Sequence, residues 1–258
     1  MEQTIEISIL SDPAALVPFI LIGFAAQLVD GALGMAYGQI SSTLLISMGV
    51  QPKLASAGVH TAETFTTAVS AVSHVAHRNV DWWLFFKIVI PGVIGGILGA
   101  YILTEAPAEL AKPVVLGYLT ALGLYLFYRG VMHRHTERQP KVISPLGLIG
   151  GFLDAAGGGG WGAIVTSNLL VQGSNPRKTI GTVNTAEFFL TVTISATFLA
   201  TLGWEAFTTA TMGLLIGGVL AAPFGAWIAK RVNPDTLLTF VGALVTLTSG
   251  YGLYRALS

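Results

Sequence analysis

The stretch Gln27-Leu28-Val29-Asp30-Gly31-Ala32-Leu33-Gly34-Met35-Ala36-Tyr37-Gly38 sets one carboxylate and three glycines in apolar surroundings, where neither suits a continuous helix. The text returns 124 residues later as Gly151-Phe152-Leu153-Asp154-Ala155-Ala156-Gly157-Gly158-Gly159-Gly160-Trp161-Gly162. Aligned without a gap, residues 27–67 and 151–191 share 14 of 41 positions. The identities are not merely apolar. They pair Asp30 with Asp154, Gly34 with Gly158, Gly38 with Gly162, Gly49 with Gly173 and Pro52 with Pro176, and match Thr61-Ala62-Glu63 with Thr185-Ala186-Glu187. One copy per half of the chain is the mark of a duplicated bundle rather than a short-period solenoid.

The solvent of that bundle follows from composition. Hydrophobic residues make up 53% of the 258 and charged residues 10%, against about 25% charged in an average soluble domain. Uncharged runs cover 31–52, 88–104, 155–176, 188–204, 206–229 and 236–254, most of them near the ~20 residues of a spanning helix. The chain therefore reads as a polytopic membrane protein whose first partner is the lipid bilayer. A formal net charge of zero offers no field to attract nucleic acid. The absence of cysteine removes thiol chemistry and disulfides and leaves the compartment open. Glu2, Glu6 and Asp12 make the N-terminus acidic, so the first apolar segment is expected to stay as a membrane element rather than act as a cleaved signal.

The predicted fold is all-α, in two repeats, residues 1–130 and 144–258, joined by a linker at 131–143. In the first, a segment ending near Asp30 is followed by a short one at about 36–47 and longer ones near 53–77, 82–104 and 112–129. The second repeats this near 144–156, 160–172, 177–201, 205–230 and 235–255. Basic residues between His133 and Lys141 mark the linker as cytoplasmic. From that anchor, loops alternate: Glu105 and Glu109 lie in an acidic loop, His77-Arg78 is basic, Arg177-Lys178 and Lys230-Arg231 are basic, and Gly203-Trp204-Glu205 is not. Equivalent loops thus fall on opposite sides, which is inverted topology, with both termini outside. Inversion needs an odd number of crossings per half, so the first two segments of each half must return to the side they left. The short segments are about 18 to 20 Å long at 1.5 Å per residue, too short for ~30 Å of hydrocarbon. Each repeat is read as a re-entrant or broken helical hairpin plus three transmembrane helices, and segment 13–30 is long enough that it could be a tilted span.

Broken backbone at membrane depth is tolerated where it is buried in protein or lines an aqueous cavity. Two glycine-rich tips meeting near the midplane would present backbone N–H groups and helix N-termini, which suit an anion. Glu63 follows Lys53 by ten residues, which places it about 15 Å deep, and Glu187 follows by symmetry. Ser56, His60, Glu63, Thr67, Ser70 and His74 recur at spacings of three and four, one polar face. The second half keeps Asn184, Glu187 and Thr191 of that stripe, with Ile180, Ile194 and Phe198 in the other places. Candidate substrate contacts are Gln27, Tyr37, Ser41, Ser42, His60, Gly159, Gly160, Trp161, Thr166, Ser167 and Asn184. Asp30 and Asp154 are assigned as caps for the helices that follow them or as ligands. Glu63 and Glu187 are assigned to proton coupling or gating, with a protonated structural donor as the other reading. Tyr37 and Trp161 close the site or simply pack, and the hydroxyls of the short helices can serve a substrate or their own backbone.

Other chemistries lack their residues. No Gly-Lys-Ser/Thr follows the glycine run as a phosphate loop requires. No cluster supplies three metal ligands, no nucleophile elbow is present, and neither cofactor nor enzymatic activity is expected.

These segments resemble the sulfite exporter TauE/SafE family, also called the toluene-sulfonate uptake permeases. The resemblance rests on residues 27–38, on Gly58-Val59-His60-Thr61-Ala62-Glu63, on 151–154 with the glycine run, and on Gly181-Thr182-Val183-Asn184-Thr185-Ala186-Glu187. It covers nearly the whole chain. It implies a prokaryotic plasma-membrane carrier of sulfite, sulfonates or related sulfur-containing anions. With the interior negative, each exported negative charge gains about 2.3 kcal/mol per 100 mV, so export is the favoured direction; proton-coupled uptake and an anion channel are the alternatives. A homo-oligomer is compatible with the glycine-rich stretches 92–99 and 213–218, which can pack within one protomer or between two.

Overall fold

The computed structural model describes residues 13–33, 35–132, 140–229 and 234–258. Among them there is no strand. After a 3-10 turn at Pro13–Leu16, the first half runs α1 (Val17–Leu33), α2 (Tyr37–Ser47), α3 (Pro52–Ala76), α4 (Trp82–Glu105) and α5 (Ala108–Val131). The second runs α6 (Ser144–Gly157), a π-helical turn (Gly162–Thr166) leading into α7 (Ser167–Val171), then α8 (Pro176–Leu202), α9 (Thr209–Ala229) and α10 (Pro234–Leu257). Most of the linker's basic cluster and Lys230-Arg231 lie outside the described residues.

The ends of these helices follow from local chemistry. Pro52 and Pro176 open α3 and α8 near the first helical position, where a missing N–H costs nothing. Asp81 Oδ1 accepts from the N–H groups of Trp83 and Leu84, both at 3.1 Å, and starts α4. Asn175 Oδ1 accepts from Lys178 N at 3.1 Å and does the same for α8. Among the described residues, four stretches are long and apolar enough to cross a membrane: Ala14–Gly31, Trp82–Glu105, Ala108–Val131 and Lys178–Leu202. Helix α3 is as long as these, and its glutamate, two histidines and hydroxyls keep its hydropathy down. Its polar face is turned inward: Ser56, His60, Glu63 and Thr67 are buried, while Phe65, Val69 and Val72 on the other side are exposed. Trp82, Trp83 and Trp204 stand exposed at helix ends, where aromatic side chains prefer the membrane–water boundary.

Packing crosses between the halves. Helix α1 lies on α9, α6 on α4, α5 on α10 and α3 on α8. The glycine stretches are used up inside the protomer: a methyl group at Gly151 would fall 2.8 Å from the Gly92 carbonyl carbon, and one at Gly217 would fall 2.6 Å from Phe24 N. Small residues let these backbones touch, as helix pairs in lipid require. At one end of the bundle Lys178 Nζ donates to the carbonyls of Arg78 (2.9 Å) and Val80 (3.2 Å), and Gln172 Oε1 accepts from Lys141 N and Val142 N, both at 2.9 Å. At the other, Thr104 and Thr201 hydroxyls lie 3.2 Å apart.

The short helix expected at 160–172 departs from a plain helix. It opens with a π turn, and the Asn168 side-chain amide donates to the Ile164 carbonyl at 2.7 Å. The same carbonyl also accepts the Ser167 backbone N–H, so it is shared at the end of the wider turn.

Candidate functional site

The two breaks meet in the middle of the bundle. The second is made by Gly158, Gly159 and Gly160 at φ 73°, 143° and 154°, conformations that glycine adopts without a Cβ penalty. The first bends at Ala36, φ 94°. A methyl group at Gly38 would lie 2.7 Å from Gly159 Cα, and one at Gly159 would lie 2.6 Å from Gln39 N and press on Gly38. Backbone touches backbone at that point.

Each break is followed by a helix start with an aspartate seven residues before it. Asp154 Oδ1 accepts from Trp161 N at 2.8 Å, and the Asp30 carboxyl lies near the Tyr37 backbone N–H. The aromatic rings then pack on glycines of the opposite elements. Trp161 lies on Gly92 of α4 and its indole N–H donates to the Val183 carbonyl at 3.2 Å. Tyr37 lies near Gly218 of α9 and its hydroxyl donates to the Leu214 carbonyl at 3.1 Å.

The acids converge on this contact. Glu63 is 6% exposed and Glu187 8%. Glu63 Oε1 lies 3.4 Å from where a Gly38 side chain would begin, and Glu187, Asp154 and Asp30 are all close enough to act on Glu63 electrostatically. Glu187 makes no hydrogen bond among the described residues. Below the acids the two halves touch through equivalent residues, Thr67 and Thr191, with hydroxyls 3.4 Å apart.

His60 is fully buried and both ring nitrogens are committed. Nδ1 lies 2.7 Å from the Ser56 carbonyl oxygen, an acceptor only, so Nδ1 carries a proton. Nε2 lies 3.0 Å from Asp154 Oδ2, and a second proton lies between those two atoms. Three further bonds from the first half hold the same tip: Ser56 Oγ donates to the Ala155 carbonyl at 2.7 Å, Ser42 Oγ donates to the Gly158 carbonyl, and Tyr118 OH donates to the Gly159 carbonyl at 3.0 Å.

The structure thus brings Tyr37, Ser42, His60, Glu63, Asp154, Gly159 and Trp161 into one contact network. Gly160 joins it through Tyr118, whose hydroxyl lies against it. Ser167 is placed elsewhere, near Tyr125. Gln27, Ser41 and Thr166 are buried with a side-chain oxygen that has no partner, and Asn184 is buried on α8. The residues missing from the sequence reading are Tyr118 and Gln39. Gln39 is 1% exposed with an unpartnered Oε1; Tyr118 sits in an ordinary apolar helix and carries no local signal. No group of three or more metal-ligating side chains occurs among the described residues. A 410 Å³ hollow beside Asp81 and Lys178 and an 810 Å³ apolar groove along α3, α4 and α8 are lined by other residues.

Apolar helices around two broken segments, with ionisable side chains turned inward, define a multi-pass membrane protein with a buried polar centre. The chain belongs to the sulfite exporter TauE/SafE family, whose model matches residues 19–252. It is 43% identical over 243 residues to the probable membrane transporter protein YtnM of Bacillus subtilis, covering 91% of this chain and 81% of that one. It is 24% identical to the probable membrane transporter protein YjnA of the same organism, over 92% and 99% of the two chains. No solved structure matches. Family and relatives together make this a membrane transporter of the sulfite exporter type.

Proposed function

We propose that the protein is a secondary carrier that exports sulfite or a small organosulfonate across a prokaryotic plasma membrane by alternating access around the Gly38–Gly159 contact. The observation that carries this reading is the contact itself: the backbones of two helix starts meet there in the buried middle of the bundle, and helix N-termini favour an oxyanion. Both halves contribute one break, one capping aspartate and one glutamate. The exchanged packing of α1 on α9 and α6 on α4, and the Thr67–Thr191 pair, support two repeats related by a pseudo-twofold axis in the membrane plane. In that frame the Lys178 end is cytoplasmic, the Thr104 end is external and both termini are outside. Glu63 and Glu187 serve coupling or gating. Gln27, Ser41, Thr166 and Asn184 offer the polar groups that a substrate would find on its way to the tips.

The test is flux in proteoliposomes loaded in turn with sulfite, sulfate, thiosulfate and a taurine-like sulfonate. Saturable efflux of sulfite or the sulfonate, faster with a potential negative inside, is the expected result. Transport of none of the four would overturn the reading, and non-saturating conductance would replace the carrier with a channel.

A further inference from the structure

We infer that Gln39 is a specificity-determining residue of the tip site: its amide oxygen accepts a hydrogen bond from the bound anion itself, so the species carried is a singly charged oxyanion that keeps one proton, hydrogen sulfite rather than the sulfite dianion. The inference rests on the proposed anion site at the tips and names the form of substrate that site takes.

Helix α2 opens at Tyr37, and its own ladder begins with Ile40 N donating to the Ala36 carbonyl at 3.1 Å. The N–H groups before it have no acceptor within the helix. Gln39 is the third residue, where a glutamine can reach back and cap the helix entrance. It does not do so here: the side chain is buried and Oε1 has no partner. Its direction follows from its neighbours. Gln39 N lies 2.6 Å from where a Gly159 side chain would begin. Ser42, three residues on and so along the same helix face, donates to the Gly158 carbonyl. The amide therefore sits on the face of α2 that is turned to the second tip. The residue 124 positions on is Ala163, so this acceptor belongs to one tip only.

An amide oxygen buried without a donor is costly, and a ligand that brings the donor removes the cost. A sulfonate or a sulfite dianion offers acceptors alone. Hydrogen sulfite offers oxygens to the helix start and one proton to Oε1. Charge points the same way. Among the described residues no lysine or arginine is buried, and His60 is committed to Asp154. What meets the anion is helix starts and neutral groups such as Ser41, fully buried with an unpartnered hydroxyl. Such groups hold one buried negative charge far more readily than two. A site whose polar atom needs a proton from its ligand rejects the analogue that lacks it, because that atom is then left unpaired.

The titratable groups around the contact are Asp30 on α1, Tyr37 on α2, His60 and Glu63 on α3, Tyr118 on α5, Asp154 on α6 and Glu187 on α8. Helix α10 also packs on α2, and its titratable side chains among the described residues are not buried. Titration of any of these groups acts on every anion in the site, so a ligand of fixed charge separates their effect from that of the ligand's own proton.

The experiment is calorimetry on the full chain in nanodiscs at pH 6 and pH 8. Sulfite is mostly protonated at the first and mostly dianionic at the second; methanesulfonate is a monoanion without a proton at both, and sulfate a dianion at both. Total sulfite is expected to bind at least about fivefold more tightly at pH 6, and methanesulfonate to change by less than about twofold. Gln39→Met keeps the length and removes the acceptor. It should weaken sulfite binding at pH 6 about tenfold, leave methanesulfonate within about twofold, and unfold no earlier on heating than the wild type, since the empty protein loses no bond. A pH ratio for methanesulfonate equal to that for sulfite, sulfate binding as tight as that of sulfite at pH 6, or equal weakening of sulfite and methanesulfonate by Gln39→Met would each overturn the role of Gln39. The wild-type comparison of ligands decides without the variant. Binding of none of the three anions at either pH would instead overturn the anion site, and this inference with it.

Discussion

The two tips are copies of one motif held in different ways. The second tip, 154–162, is strapped to the first half: His60, Ser56, Ser42 and Tyr118 each hold one of its groups. The equivalents of His60, Ser56 and Ser42, 124 positions on, are Asn184, Ile180 and Thr166. Ile180 carries no polar side chain, and the Thr166 hydroxyl has no partner. At the first tip the Tyr37 hydroxyl donates to the Leu214 carbonyl and the Glu63 carboxyl lies against Gly38. Duplication therefore produced a pair of unequal partners. One is tied across the halves by four side chains, and the other is tied by fewer.

The comparison breaks most sharply at Gly159. Its φ of 143° and the Gly38 and Gln39 backbone against it leave no room for a side chain. Gly159→Ala is expected to cost about 3 kcal/mol or more through overlap and backbone strain together, and to show as loss of the monodisperse species in size-exclusion chromatography. The matching change at the first tip runs the other way. Ala36 already carries a side chain at φ 94°, so Ala36→Gly should stay within about 1 kcal/mol of wild type. Similar losses at both positions would mean that the tips are equally constrained.

The aspartates give a smaller effect with the same sense. Asp154 accepts from Trp161 N and shares a proton with fully buried His60; Asp30 lies near the Tyr37 backbone N–H. Asp154→Ala would strand a buried imidazole and an N–H, at about 3 kcal/mol, against about 1 kcal/mol for a lost cap in Asp30→Ala. The midpoints of SDS-induced unfolding in mixed micelles measure both. A larger loss at Asp30 would reverse the assignment of the fixed tip.

Much of this was legible in the sequence, for reasons of solvent. Lipid forces helices to be uncharged and polar faces to turn inward, so the runs at 88–104 and 188–204 and the stripe from Ser56 to Thr67 could be placed by composition and periodicity alone. Pro52, Pro176 and the glycine run set boundaries because their backbone preferences are local. The partnership of His60 with Asp154 was not legible: their common depth follows from helix length, but which acid faces the histidine depends on how α3 crosses α6. Nor was the role of Tyr118, since an aromatic residue in an apolar helix looks the same whether its hydroxyl meets lipid headgroups or a carbonyl.

The smallest difference is also the cleanest, because it compares one hydroxyl with its own copy. Ser42 and Thr166 are equivalent, both buried, and each sits on the short helix that follows a break. Ser42 donates to the Gly158 carbonyl; Thr166 Oγ1 meets no partner. Removing Ser42's hydroxyl as Ser42→Ala strands an acceptor and should cost about 1 kcal/mol. Thr166→Val keeps the shape, removes a buried polar atom that has no bond to lose, and should be neutral or slightly stabilising. Thermal unfolding in detergent resolves the two. If Thr166→Val instead leaves stability unchanged and slows sulfite efflux from proteoliposomes severalfold, the empty hydroxyl is a substrate ligand on the second tip's short helix.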